Sequence, residues 1–258
     1  GIGGGVLFVP LASSFFPFHI DFVRGTGLFI ALGSSLAAAP HLLEKNLASL
    51  KLALPSALVA STFAIVGAFL GLWLSALNPA YIQGSLGVTI IVIVFIMLFA
   101  KNSEHPDVTH GNYLTELFQI NGIYTEETTG KEVRWTVHKT TRGMLGFVIV
   151  GLLAGIFGLG AGWANVAILN LIMGAPVKIA VATSSFALSI TDSTAAWIYM
   201  NKGAVLPILT VPSMVGIMLG AKIGSKLLPK VKPSVIRNMV IGVLFFAGVR
   251  SLMKAFGI

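Results

Sequence analysis

Gly155–Asp192 reads GIFGLGAGWANVAILNLIMGAPVKIAVATSSFALSITD, and its make-up decides what kind of chain this is. Glycines stand at 155, 158, 160 and 162 in an otherwise apolar region. Asn165 and Asn170 follow, then the hydroxyls of Thr183, Ser184, Ser185, Ser189 and Thr191, and one acid, Asp192. Glycine and polar groups at this density are costly in hydrocarbon unless the backbone lines a cavity or packs against protein. The stretch also has a twin. Gly1–Ala39 lies over Gly158–Ala196 without a gap, GIGGG on GLGAG and RGTGLF on VATSSF. Identical pairs are Gly1/Gly158, Gly3/Gly160, Gly5/Gly162, Val9/Val166, Thr26/Thr183, Phe29/Phe186, Ala38/Ala195 and Ala39/Ala196. The duplication predicts a membrane transporter of two related halves, with its substrate site where they meet.

Composition agrees. The 258 residues are 55% hydrophobic and only 10% charged, with a mean hydropathy of +0.90, whereas about a quarter of a soluble domain is charged. The uncharged run Leu52–Ala100 holds two helices at roughly 20 residues per span, with Asn78-Pro79 as the turn between them. The net charge of +8 does not point to nucleic acid, because the basic residues flank apolar segments and form no aromatic-interleaved patch. They read as juxtamembrane charge. With no cysteine there is neither a disulfide nor a thiolate metal site, and the redox compartment stays open. The first copy lacks the apolar lead-in that Gly143–Phe157 gives the second, so further sequence upstream of Gly1 is expected and no signal peptide can be judged.

Three regions follow: a first transmembrane repeat over 1–100, a soluble loop over 101–142 and a second repeat over 143–258. In the first, Gly1–Phe16 is a glycine loop leading into a helix, and Val23–Leu43 is a polar-spotted helix. Leu52–Leu77 and Ile82–Ala100 are two apolar spans. Lipid demands helices or closed barrels, and these runs do not alternate as barrel strands would. In the loop, Gly122–Glu127 and Lys131–Lys139 flank Thr128-Thr129-Gly130 and read as a β-hairpin, with a solvated linker as the plainer alternative. The second repeat has a broken segment over Gly143–Met173 and a polar-spotted helix over Val177–Met200. Spans at Val205–Leu228 and Ser234–Phe256 follow, separated by a basic linker over Lys222–Arg237. The expected fold is thus an all-α polytopic membrane protein. Its two halves form an inverted repeat, each with a re-entrant, glycine-broken helix pair and about three spanning helices.

Charge supports the inversion. If the glycine-broken segment is re-entrant, each half crosses three more times and the second copy is inverted. All 17 lysines and arginines except Arg24, Lys202, Arg250 and Lys254 then share one face. Positive charge concentrates on the cytoplasmic side, which predicts a plasma-membrane protein with the 101–142 loop and its hairpin in the cytoplasm and both termini outside.

At this point the residues resemble a known group. Gly1-Ile-Gly-Gly-Gly followed by Val9-Pro10-Leu11 is similar to the N-terminal signature of the TauE/SafE family of sulfite and organosulfonate exporters. GLLAGIFGLGAG over Gly151–Gly162, then Gly174-Ala-Pro-Val-Lys-Ile-Ala-Val-Ala-Thr-Ser, resembles that family's second repeat. The likeness covers both halves. Ala161 replaces the middle glycine, and Ala167 stands where the first copy has Pro10. The resemblance implies export of sulfite, sulfoacetate or a related organosulfonate as the small anionic partner, with no cofactor.

The residues themselves suit an anion. Half-helices beginning after Gly5 and Gly162 would turn unpaired N–H groups and positive dipole ends toward the midplane, and glycine lets an anion approach that backbone. The candidate substrate-binding set is Gly3, Gly4, Gly5, Thr26, Gly160, Gly162, Asn165, Thr183, Ser184 and Ser185. For any single glycine, serine or threonine, close helix packing is the commoner use. The duplicated placement of Gly3/Gly160, Gly5/Gly162 and Thr26/Thr183 is what favours a site. Asp192 is the candidate proton-coupling group, because an intramembrane acid commonly carries a proton. Its plainer reading is a carboxyl paired with Thr191, Ser193, Thr194 or Lys202.

His19, Asp21 and Arg24 cluster on the connection between the first two segments. Interfacial anchoring outweighs gating or recruitment for Arg24 and Lys178. Trp163 reads equally as a cavity wall or a packing residue. An intramembrane enzyme would need a metal triad, paired aspartates or a serine with a base, and the membrane segments offer only Asp192 and, near one end, His41. No enzymatic activity is expected. An anion channel with the same lining is the alternative within transport.

Overall fold

The computed structural model describes residues 4–44, 47–99, 113–125, 132–160, 162–227 and 233–256. Gly3, Ala161 and the hairpin turn at Thr128–Gly130 lie outside the described residues, as do the side chains of His41 and Trp163. The chain is largely helical. The first half has α1 (Gly5–Phe15), α2 (Ile20–Glu44), α3 (Leu50–Leu77) and α4 (Pro79–Phe99). The insert holds a short α5 (Tyr113–Leu117) and the strands β1 (Asn121–Thr125) and β2 (Glu132–Thr136). The second half has α6 (Thr140–Phe157), α7 (Gly162–Ala167) running into a π-helical turn (Ile168–Ile172), α8 (Val177–Asn201), α9 (Pro207–Leu227) and α10 (Pro233–Ala255).

The helix boundaries follow the overlay read from sequence. With Gly1 laid on Gly158, Gly5–Phe15 falls on Gly162–Ile172 and Ile20–Glu44 falls on Val177–Asn201, end to end. Pro10 occupies the position of Ala167, after which the second copy opens into its π turn, with Met173 N–H bonding Ile168 O at 2.9 Å.

Helix boundaries follow local chemistry. α4, α9 and α10 each begin on a proline, whose missing N–H costs nothing in a first turn. Asn78 Oδ1 accepts the Ala80 N–H at 2.9 Å and caps the start of α4. One expectation fails here. The Lys222–Arg237 stretch is not a linker: Lys222 and Lys226 lie in α9 and Arg237 lies in α10. Lysine and arginine are good helix formers, and their charge did not interrupt either helix.

Five of the described helices are long and apolar enough to cross a membrane, within α2, α3, α4, α6 and α10. Their surfaces suit lipid. Leu58, Phe99 and Phe246 are 68%, 78% and 61% exposed, while α3 buries Ala53, Ala57, Ala60, Ala64, Gly67, Ala68 and Gly71. Small residues inside and large ones outside is how helices associate where hydrocarbon surrounds them and packing drives contact. The α3–α6 seam shows how close they come. A Cβ on Gly155 would collide with Ala64 O and lie 2.6 Å from Ala68 N. Gly155→Val is therefore expected to cost about 3 kcal/mol, the upper end for overpacking. The check is a thermal denaturation of the detergent-solubilised protein.

The bundle has two ends. At one, the antiparallel hairpin, Asn121 opposite Thr136, leads through Ile120 and Val137 into a core with Leu52, Leu169 and Met173. Thr115 and Thr140 share a hydrogen bond of 2.7 Å there. α3, about 42 Å long at 1.5 Å per residue, carries the chain to the other end, where Pro79 meets Pro17, His19 and Lys254 around an open hollow of about 420 Å³. α6 starts at the hairpin end, and the chain doubles back after Phe157. His138 N–H bonds Met173 O at 2.8 Å, and Gly146 packs on Ile168.

Candidate functional site

The turning point lies deep in the protein. Gly158 ends α6 in the left-handed region (φ 66°), donating its N–H to Ala154 O at 2.9 Å, and Gly160 repeats that geometry (φ 62°). Only glycine occupies such angles without strain. The first half packs directly onto this break. A Cβ on Gly5 would lie 2.6 Å from Leu159 O, and one on Gly27 would lie 2.6 Å from Gly158 O. α1 and α7 therefore start close together in the middle of the bundle. From there α1 runs to the Lys254 end and α7 with its π turn runs to the hairpin end.

Several candidate residues meet at this point. A Cβ on Gly160 would touch Ala31 and lie 3.3 Å from Asp192 Oδ2. Gly162 is buried, and its carbonyl accepts the Ser184 hydroxyl at 3.2 Å. Asn165 is 1% exposed, with no partner for its Oδ1 among the described residues. Gly4 sits between Ile30 and Ile217, at the edge of the group.

Other candidates are engaged elsewhere. Thr26 shares a 3.0 Å hydrogen bond with Thr210 of α9, and Thr183 accepts the Ser49 N–H, just ahead of α3, at 3.1 Å. The duplicated threonines thus do parallel work, tying α2 to α9 and α8 to the start of α3. Ser185 bonds back to Val181 O in its own helix at 3.0 Å.

Asp192 is fully buried, and neither carboxyl oxygen has a hydrogen-bond partner among the described residues. The pairing with neighbouring hydroxyls is overturned. Thr191, Ser193 and Thr194 bond to Ala187 O, Ile190 O and Thr191 O instead. Helical backbone acceptors three or four residues back are within easier reach of a short hydroxyl than a side chain one residue away.

Arg24 corrects a second expectation, that of interfacial anchoring. It is fully buried, with Nη1 2.6 Å from Asp21 Oδ1 and 3.4 Å from Gly71 O. Nη2 donates to the Tyr199 hydroxyl, whose ring lies 5.1 Å from the guanidinium carbon. Tyr199 in turn donates to Gly155 O at 2.9 Å. The i, i+3 spacing of Asp21 and Arg24 was a legible signal for an internal pair, but nothing in the sequence marked Tyr199 as their partner. Beside the break lies a void of about 10 Å³, lined by Leu159, Ala164, Ile93 and Thr89 among others.

The sulfite exporter TauE/SafE family model matches residues 1–251. The chain belongs to the TauE/SafE family. It is accordingly a multi-pass membrane transport protein. No curated protein and no solved structure gives a match.

Proposed function

We propose that this TauE/SafE protein exports a small sulfur oxyanion, such as sulfite, sulfoacetate or a related organosulfonate, across the plasma membrane. Its mechanism is alternating access between the halves 1–100 and 143–258, related as an inverted repeat. The observation that carries this reading is the meeting of two short helices, begun at Gly5 and Gly162, across the Gly158–Gly160 break. Their opposite courses from a common start are what inversion requires. Their N-terminal amides offer donors to an anion without a fixed cation at the same spot, which favours release as well as capture. Gly4, Gly5, Gly160, Gly162, Asn165 and Ser184 form the central site, with Asp192 against it.

Orientation follows the charges. The hairpin end carries Lys51, Lys139, Arg142 and Lys178, so the positive-inside rule makes it cytoplasmic and the hollow beside Lys254 external. Outward movement of an anion is then driven by the membrane potential, about 2.3 kcal/mol per charge per 100 mV. The test is flux of labelled sulfite or sulfoacetate from proteoliposomes. Saturation and counterflow are expected. Linear, non-saturating flux would make the protein a channel, and no flux of any sulfur oxyanion would remove this reading.

A further inference from the structure

Along α2, three positions in order connect the open hollow to the glycine break. Ile20 lines the hollow, Gly27 abuts Gly158 O, and Arg24 lies between them, about 6 Å from the first and 4.5 Å from the second along the helix axis. In depth along the helix, a buried guanidinium therefore stands between the break and the hollow. An intramembrane arginine is expensive and marks a pathway more often than it serves packing. This one is incompletely satisfied: Nε has no hydrogen-bond partner among the described residues. Its charge partner differs from it in one respect. Arg24 has no exposure, whereas the Asp21 side chain is 18% exposed and lies 3.6 Å from His19 Nδ1, itself 48% exposed and part of the hollow's wall. The carboxylate thus has an outlet toward water that the guanidinium lacks. On the far wall, Lys254 spends two donors on Ser13 O and Phe16 O, at 2.7 and 3.3 Å. An ammonium has a third.

We propose that Arg24 is an outer binding group for the transported oxyanion, and that Asp21 is a built-in competitor that holds the guanidinium between cycles and reclaims it as the anion leaves. This rests on the anion-transport reading above. Asp21 holds Nη1 through one oxygen at 2.6 Å, and the planar fork of arginine suits an oxygen of a carboxylate or a sulfonate alike, so Asp21 stands where an anion oxygen would bind. An exporter benefits because an internal carboxylate lowers affinity on the side where the substrate must be released. The prior state keeps its charge paired, avoiding the cost of a lone buried cation. The second half has no equivalent pair: Lys178 and Val181 stand at the positions of Asp21 and Arg24. The device therefore serves one end only.

The test separates competition from structural support. In proteoliposomes, Asp21→Asn is expected to lower KM for sulfite at least threefold and to lower kcat as well, because the anion binds more tightly and leaves more slowly. In purified protein, the sulfite concentration giving half of the thermal shift is expected to fall by a similar factor. Tyr199→Phe removes a different side-chain partner of Arg24 without removing the competitor. It is expected to lower the melting temperature and leave KM within twofold. An unchanged or raised KM in Asp21→Asn overturns the proposal, and so does an equal drop of KM in Tyr199→Phe. If Asp21→Asn does not fold, Arg24→Lys decides. It keeps the charge but loses the fork, so the half-shift concentration should rise at least fivefold, and no rise overturns the proposal. Wild-type flux without the Asp21→Asn effect defeats this inference alone. Absence of both flux and any sulfite-induced shift in the wild type defeats the transport reading with it.

Discussion

Asp192→Asn is expected to yield a protein whose sulfite flux no longer responds to pH, and one that melts at a higher temperature than the wild type. The argument starts from position. Asp192 is wholly buried, its oxygens have no partner among the described residues, and one of them lies 3.3 Å from where a Cβ of Gly160 would be. An anion held at that backbone would meet a like charge if the carboxyl were ionised. Only the proton-bearing form admits it, so wild-type binding should strengthen as pH falls, and proton and anion should bind together by linkage. Asparagine imitates the protonated acid in size and neutrality, fixing the admitting form at every pH. Asparagine also removes the cost of burying a charge, and each kcal/mol recovered raises the melting temperature by about 2–4 °C for a chain of this size. Proteoliposome flux over a pH series and a melting curve read the two effects separately. A retained pH response would remove Asp192 from proton coupling, and a lowered melting temperature would mean that the carboxyl has a stabilising partner.

The second large effect concerns backbone. Gly158→Ala is expected to lower the melting temperature by about 10 °C and to abolish transport. Alanine at φ 66° costs roughly 1–2 kcal/mol from left-handed strain. Its Cβ would also be driven into the backbone of Arg24, 2.8 Å from both Cα and C, adding about 1–3 kcal/mol of overpacking. Gly203→Ala is the control. Gly203 has nearly the same angle, φ 67°, but nothing lies within 4 Å of an added Cβ, so that variant carries the strain alone. The difference between the two measures the close approach of α2 to the break. Equal melting shifts would mean that the halves do not meet at Gly158.

Residue chemistry by itself determined the environment, the duplication and the break. An uncharged run from Leu52 to Ala100 admits no reading but spans, because charge is what hydrocarbon excludes. The ungapped overlay of Gly1–Ala39 on Gly158–Ala196 anticipated helix ends that agree to the residue, because a duplicated chain keeps its caps and breakers. Gly158 and Gly160 were legible since a left-handed turn in an apolar segment calls for residues without a Cβ. Tertiary structure alone decided which polar groups face one another. Thr26 and Thr183 looked like ligands because they are repeated, yet each bonds the opposite half. Arg24 reads as an anchor because it falls on the polar connection between two apolar segments, yet it is buried and donates to Tyr199, from 175 positions away. A hydroxyl or guanidinium takes whichever partners folding brings within about 3 Å; Asp21 is named by its i, i+3 spacing, but Thr210, Ser49 and Tyr199 come from remote segments that no local pattern names.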